Sequence, residues 1–164
     1  MKIFIALGTQ KFQFNRLLKN VDDLFYEGKL NYDVFAQIGE STYIPANYPA
    51  KKFLSRDEYK ANIDDCDVLL THAGVGTIIQ GKKNGCYVIV APRLAKFGEH
   101  IDDHQLEIAR TFKNENFVDI YNEHDSLFDI LKNINNKSQK KYTSSRSEIN
   151  NYLINYLNLK RRDD

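Results

Sequence analysis

Residues 71–80 read THAGVGTIIQ and hold the side chains best spaced for chemistry. Gly74 and Gly76 carry no Cβ, so the backbone can turn sharply there and let a ligand come close. If a helix starts directly behind them, its first N–H groups and the positive end of its dipole aim at one point. That arrangement suits a diphosphate. Thr77 adds a hydroxyl donor, and Gln80 stands about one turn further in, within reach of a ribose. At the same positive end His72 is expected to stay neutral and to offer a donor or an acceptor. A glycine-started helix with no ligand remains an equal alternative on spacing alone. The dinucleotide fingerprint is not met, because Ile79 occupies the place of its third glycine.

Two further stretches are expected at the same edge. Gly8 and Thr9 close the first apolar run and form either part of a shared pocket or a plain tight turn. Residues 92–105 (PRLAKFGEHIDDHQ) follow a later apolar run. Here Arg93 or Lys96 could meet phosphate, and the polar side chains through Asp103, His104 and Gln105 could meet sugar hydroxyls. The alternative is a solvated helix start. A metal reading rests on His100, Asp103, His104 and Glu107, but His100 precedes the helix, so the spacing does not put these groups on one face; no metal is expected. Nucleophilic catalysis finds no GxSxG elbow. Cys66 and Cys86, twenty positions apart without CxxC spacing, read as small core residues. The pairs Asp64-Asp65 and Asp102-Asp103 read as helix caps.

The elements that must position these groups follow from periodicity. Residues 3–7 form a short apolar run ended by Gly8, a buried strand. Phe14, Leu17, Leu18, Val21 and Phe25 mark an amphipathic helix that ends near Gly28. A second strand covers 32–38, a short one is expected at Phe53-Leu54, and a weak helix covers 56–64. Strand 67–71, a helix from Val75 to Gly85 and strand 87–91 enclose the glycine loop. A helix over 102–112 is expected to open with a capping box of Asp102 and Gln105. Strand 117–120 and a helix from Asp125 or Ser126 complete the alternation. Such alternation predicts an α/β chain: a single Rossmann-like, doubly wound parallel sheet with ligands at the strands' carboxyl ends.

Domain boundaries are expected at 1–136 for this unit, 137–147 for a polar connector and 148–160 for a terminal amphipathic helix. Ser145 and Glu148 have capping-box spacing there, and Ile149, Tyr152, Leu153 and Tyr156 fall on one face. The segment 137–164 carries seven basic and three acidic residues, a net +4, within a total of +1. This helix either packs on its own domain or docks a partner near an anionic membrane.

Composition narrows the classes. The 164 residues fit one domain, and 42% apolar residues give a real core. A net charge of +1 lacks the basic excess of a nucleic-acid binder. The aromatic residues, ten Phe and ten Tyr, argue against disorder. The longest apolar runs fall far short of the roughly 20 residues a membrane helix needs. With no secretory apolar region after Met1, the chain is expected in the cytoplasm.

Residues 72–79 (HAGVGTII), 88–93 (VIVAPR) and 98–109 (GEHIDDHQLEIA) together resemble the carboxyl-terminal, donor-binding half of GT-B glycosyltransferases. The likeness is to its small single-domain subunits. These comprise the catalytic subunit of the dolichol-linked N-acetylglucosamine transferase and bacterial capsule and exopolysaccharide counterparts. Residues 7–12 (LGTQKF) fit as well, so the resemblance spans roughly 1–135.

The resemblance implies a UDP-linked sugar lying across Gly74, Gly76 and Thr77, with Asp103, His104 and Gln105 facing the sugar. Gly8, Thr9, His72, Gln80 and Arg93 complete the expected set. In the family a glutamate often stands at the position of Gln80, where it accepts from both ribose hydroxyls. It further implies a heteromeric, metal-independent, inverting hexosyltransferase that needs no cofactor beyond its donor. One Rossmann-like half cannot close a cleft alone. The expected partner is a membrane-associated, acceptor-binding subunit that presents a polyprenyl-diphosphate-linked sugar. It would dock through 149–159 and recruit this chain peripherally to the inner face of the membrane. The general base is expected on that partner, with His72 as a weaker candidate. A non-catalytic module that binds nucleotide sugar and assists another transferase is the main alternative, and a nucleotide-sugar epimerase a lesser one.

Overall fold

The computed structural model describes residues 1–142. The terminal helix expected over 148–160, and the last part of the connector, lie outside the described residues. Six parallel strands form one sheet: β1 (Lys2–Ala6), β2 (Asp33–Gln37), β3 (Ala50–Lys51), β4 (Val68–Thr71), β5 (Tyr87–Val90) and β6 (Asp119–Ile120). Their order across the sheet is β3-β2-β1-β4-β5-β6. Five helices connect or follow them: α1 (Asn15–Tyr26), α2 (Arg56–Asp65), α3 (Val75–Lys83), α4 (His104–Asn114) and α5 (Leu127–Lys132). The doubly wound reading of the sequence is therefore correct.

Side-chain alternation along β1 explains the layers. Ile3, Ile5 and Leu7 face one side, where Leu17, Leu18 and Val21 of α1 and Leu127 and Leu131 of α5 pack. Phe4 and Ala6 face the other, against Ile63 of α2, Ile78 of α3 and Ala109 and Phe112 of α4. Each leucine buried this fully contributes about 2 kcal/mol. Central β4 is buried on both faces, which is why VLLT reads as a continuous apolar run.

Some expectations fail for local reasons. The short strand is at Ala50–Lys51, not Phe53-Leu54, because Ala36 and Gln37 pair with residues 50 and 51 just past Pro49. The capping box at Asp102 does not form: α4 starts two residues later, at His104, and Gln105 turns inward. The box that does form lies at Ser55 and Glu58 of α2, where Glu58 also pairs with Lys51. Asp64 and Asp65 sit at the C-terminal end of α2 and pair with Lys60 and Lys2 instead of capping. Part of the connector is docked on the sheet. Gln139 accepts from the Val88 N–H and donates to the Val88 carbonyl, at 2.9 and 2.8 Å.

The order fixes where a ligand can sit. From β1 the chain passes to α1 on one face; from β4 it passes to α3 on the other. The carboxyl ends of these adjacent strands therefore part, and a crevice opens between Gly8 and the residues after Thr71.

Candidate functional site

The crevice is organised around the imidazole of His72. Thr71, at the end of β4, donates its hydroxyl to the Ala6 carbonyl at 2.6 Å and so ties the two strand ends together. The next residue, His72, then lies between the two loops. A Cβ on Gly8 would stand 2.8 Å from the ring's Cε1, and one on Gly74 2.4 Å from its Nε2. Both glycines are thus required by close approach, and Gly8 also has a φ of +74°. Burial, aided by the positive charge of Arg93, holds the ring's pKa down at about 4. The ring is neutral at physiological pH, as expected from the sequence, and it is a feeble base.

Helix α3 starts at once behind this ring. Gly74 is its N-cap, in extended conformation, and no side chain caps it. Its positive end is therefore presented to the crevice, while Lys82 and Lys83 in its last turn complement the negative end.

Two clefts flank this helix start. One, of about 780 Å³, is lined by Gly8, Thr9, Gly76, Thr77 and Gln80 together with Arg56, Tyr59 and Lys60 of α2. The other, of about 720 Å³, is lined by His72, Gly74, His104 and Gln105, with Phe12, His100 and Asp102 beside them. Nine of the eleven residues expected to bind donor thus gather around one helix N-terminus.

The remaining two lie elsewhere. Asp103 accepts from the Ala95 N–H at 2.8 Å and lines a separate cleft with Pro92, Lys96 and Tyr121. Arg93 is 1% exposed and lines none of these clefts. It donates to the carbonyls of Phe12, Gln13, Glu99 and Leu7 at 3.0, 2.7, 3.3 and 2.8 Å, beneath the crevice floor. Its guanidinium rivets the loop after β1 to the loop after β5 and is not offered to a phosphate. Glu99 completes the rivet. Its fully buried carboxylate takes a bidentate bond from Arg16 at 2.9 Å for each arm and a third from the Leu94 N–H at 3.0 Å.

Gln105 bridges the loops from another side. Its Oε1 accepts from the N–H groups of Ala73 and Arg93, at 3.2 and 3.1 Å, which fixes the glycine loop against the loop after β5. Its amide –NH₂ remains the end that can meet a ligand.

His100, Asp102 and His104 bring three ligand atoms within 4.8 Å of one another. Asp102 is hydrogen-bonded to the Nδ1 atoms of both imidazoles, and the bond from His104 holds its carboxyl at a pKa of about 2. These contacts use the Nδ1 atoms and one carboxylate oxygen, and they hold both rings at the edge of the cleft, where a ligand would meet them. Sequence reasoning missed the wall that Arg56 and Lys60 make, where Lys60 is paired with Asp64 of the same cleft. The four-residue spacing of Arg56 and Lys60 on a helix was visible, but nothing local said that α2 would face the helix start of α3.

Comparisons with known proteins agree with this architecture. The family model of the glycosyltransferase family 28 C-terminal domain matches residues 2–155. The Homo sapiens UDP-N-acetylglucosamine transferase subunit ALG13 is 25% identical over 122 residues, covering 69% of this chain and 10% of that protein. The chain therefore spans about a tenth of that relative. Among solved structures, the glycotransferase of kitacinnamycin superposes with a TM-score of 0.59 at 19% identity, covering 80% of this chain and 32% of the other. Acinetobacter baumannii MurG superposes with a TM-score of 0.53 at 16% identity, covering 83% of this chain and 41% of the other. These two likenesses concern the fold.

Proposed function

The chain belongs to the glycosyltransferase family 28 C-terminal domain family, and from that footing we propose that it is the donor-binding subunit of a two-component transferase that uses a UDP-sugar. The observation that carries this reading is the uncapped start of α3 at the sheet's switch point, with Gly8 and Gly74 packed on a neutral His72. The diphosphate would lie on the N–H groups at Gly76 and Thr77. The nucleoside would extend along the cleft of Gln80, with the cations Arg56 and Lys60 near, and the sugar would turn toward His104 and Gln105.

The chemistry follows from charge. In direct displacement the diphosphate leaves with growing negative charge, and the helix N-terminus stabilises it without a metal. The acceptor hydroxyl must lose a proton. His72, buried and weakly basic, is a poor group for that task, so we assign the base to the partner. A second polypeptide also fits the open clefts, since a half-site cannot exclude water or orient an acceptor. The word "subunit" in the name of the human relative supports that arrangement. We further assign the acceptor to a polyprenyl-diphosphate-linked sugar in capsule or exopolysaccharide synthesis. The chain would then work at the inner membrane face, held there by its partner. Among the described residues no helix is long and apolar enough to cross a membrane.

Gln80 favours a second reading, a non-catalytic module that holds nucleotide sugar for another transferase. An amide offers one acceptor where a carboxylate offers two. Titration with UDP and UDP-sugars, with and without magnesium, tests both. Binding with turnover in the reconstituted pair supports the subunit; binding without turnover leaves the module; no binding by chain or pair rejects both.

A further inference from the structure

At the sheet's amino-terminal edge, opposite the crevice, two residues far apart in sequence come together. Cys66 is the C-cap of α2, and Cys86 follows the turn that ends α3. Val68 pairs with Tyr87 and the Tyr87 N–H bonds to the Asp67 carbonyl at 2.9 Å, so Cys86 stands just before one strand and Cys66 one place further back before its neighbour. The two Sγ atoms are 3.2 Å apart, and both are free thiols. The reading of both as small core residues holds, with Cys86 in the core and Cys66 packed against it, but their spacing gave no sign that the two sulfurs touch.

The surroundings are those of a reactive pair. Cys86 is 2% exposed and Cys66 half-buried, and Cys86 lines a cleft of about 360 Å³ with Lys82, Lys83 and Lys141. Lys82 is 6% exposed, its ammonium donates to Gln139 Oε1 at 3.0 Å, and it forms no ion pair among the described residues. A buried ammonium without a carboxylate favours an anion beside it. The hydrogen bond from Cys66, with Lys82 adding its charge, lowers the pKa of Cys86. Cys66 is pushed the other way by its contact with Cys86 and by burial, so Cys86 is the thiol of the two that gives up its proton more readily.

We propose that Cys66 and Cys86 form a peroxide-reactive dithiol that closes to an intramolecular disulfide, tying the end of α2 to the end of α3. The Cys86 thiolate attacks one peroxide oxygen, the O–O bond breaks, and the departing hydroxide takes a proton as water. Cys86 is left as a sulfenic acid. The sulfur of Cys66 then attacks that of Cys86, loses its own proton, and expels a second water as the S–S bond forms. Two thiols lose two electrons in all, and one peroxide gains them. The site is independent of the donor crevice, since it lies at the other end of α3.

The test exposes the full chain to hydrogen peroxide and follows thiol content and intact mass. The expected result is joint loss of both thiols and of the mass of two hydrogens. A tryptic peptide should join Cys66 to Cys86, and dithiothreitol should reverse the change. Lys82→Met is expected to slow the reaction roughly tenfold, through a smaller thiolate fraction. Cys66→Ser is expected to stop at a Cys86 sulfenic acid trapped by dimedone. Thiols that persist under peroxide, or oxygen added without a cross-link, overturn the proposal, and neither result depends on a variant's folding. A Lys82→Met chain that oxidises at the wild-type rate removes Lys82 from it.

Discussion

Replacing Glu99 by glutamine should be among the most damaging conservative changes in this protein. The carboxylate is fully buried, yet it answers the Arg16 guanidinium through two bonds of 2.9 Å, and its charge also faces Arg93. Both guanidiniums lie over aromatic faces, Arg16 on Phe14 and Phe97 and Arg93 on Phe14, so water has little access to compensate them. Removing one member of a buried ion pair costs about 3–5 kcal/mol, because the other charge is stranded. Glutamine keeps one acceptor, which puts the loss near the lower figure, about 3 kcal/mol. For a chain of this size that lowers the melting temperature by roughly 10 °C. Urea unfolding gives the free energy and a thermal melt gives the midpoint. The double variant Arg16→Met, Glu99→Leu should be less destabilised than the sum of its singles, since it strands less charge. A loss below about 1 kcal/mol for Glu99→Gln, or strict additivity in the pair, would refute the claim that this network braces the crevice floor.

Other expectations follow from the same geometry. An added Cβ at Gly76 meets nothing within 4 Å, so Gly76→Ala should leave stability unchanged while weakening UDP binding by at least tenfold, measured by calorimetry against urea unfolding. Gln80→Glu restores a two-oxygen acceptor and should tighten UDP binding by about tenfold, read in the same titration. His72 titrates at about 4 when folded, against an ordinary histidine value of 6.5, so the unfolded chain binds its proton first. Its contribution of about 3 kcal/mol is complete above pH 6.5 and is lost as pH falls toward 4. The acid slope of wild-type stability should therefore exceed that of His72→Asn. Buried Asp22 accepts from Tyr43, from the N–H groups of Ala46 and Asn47 and from the Asn47 side chain. Asp22→Ala should cost about 3 kcal/mol by unfolding and loosen the loop over residues 43–47.

The local signals in the sequence carried the sheet. Apolar runs closed by glycine marked β1 and β2, and the glycine pair after β4 marked the helix start of α3, because turn chemistry and periodicity act over a few neighbours. What escaped was the direction of long polar side chains. Arg93 follows the strand after the glycine loop and is expected to meet phosphate, but its side chain donates to four carbonyls beneath the crevice. Gln105 has the spacing of a cap, yet two backbone N–H groups across the crevice claim its oxygen. Cys66 and Cys86 meet only because strand register brings adjacent strand starts together, and no spacing rule encodes register. The wall that Arg56 and Lys60 of α2 make escaped for the same reason.

The most direct test is calorimetric titration of the purified chain with UDP, paired with backbone amide shifts. The account predicts saturable binding without magnesium, with the largest shifts at Val75, Gly76 and Thr77. Saturable binding that leaves those amides unmoved, or an absence of binding even with the partner present, would contradict it.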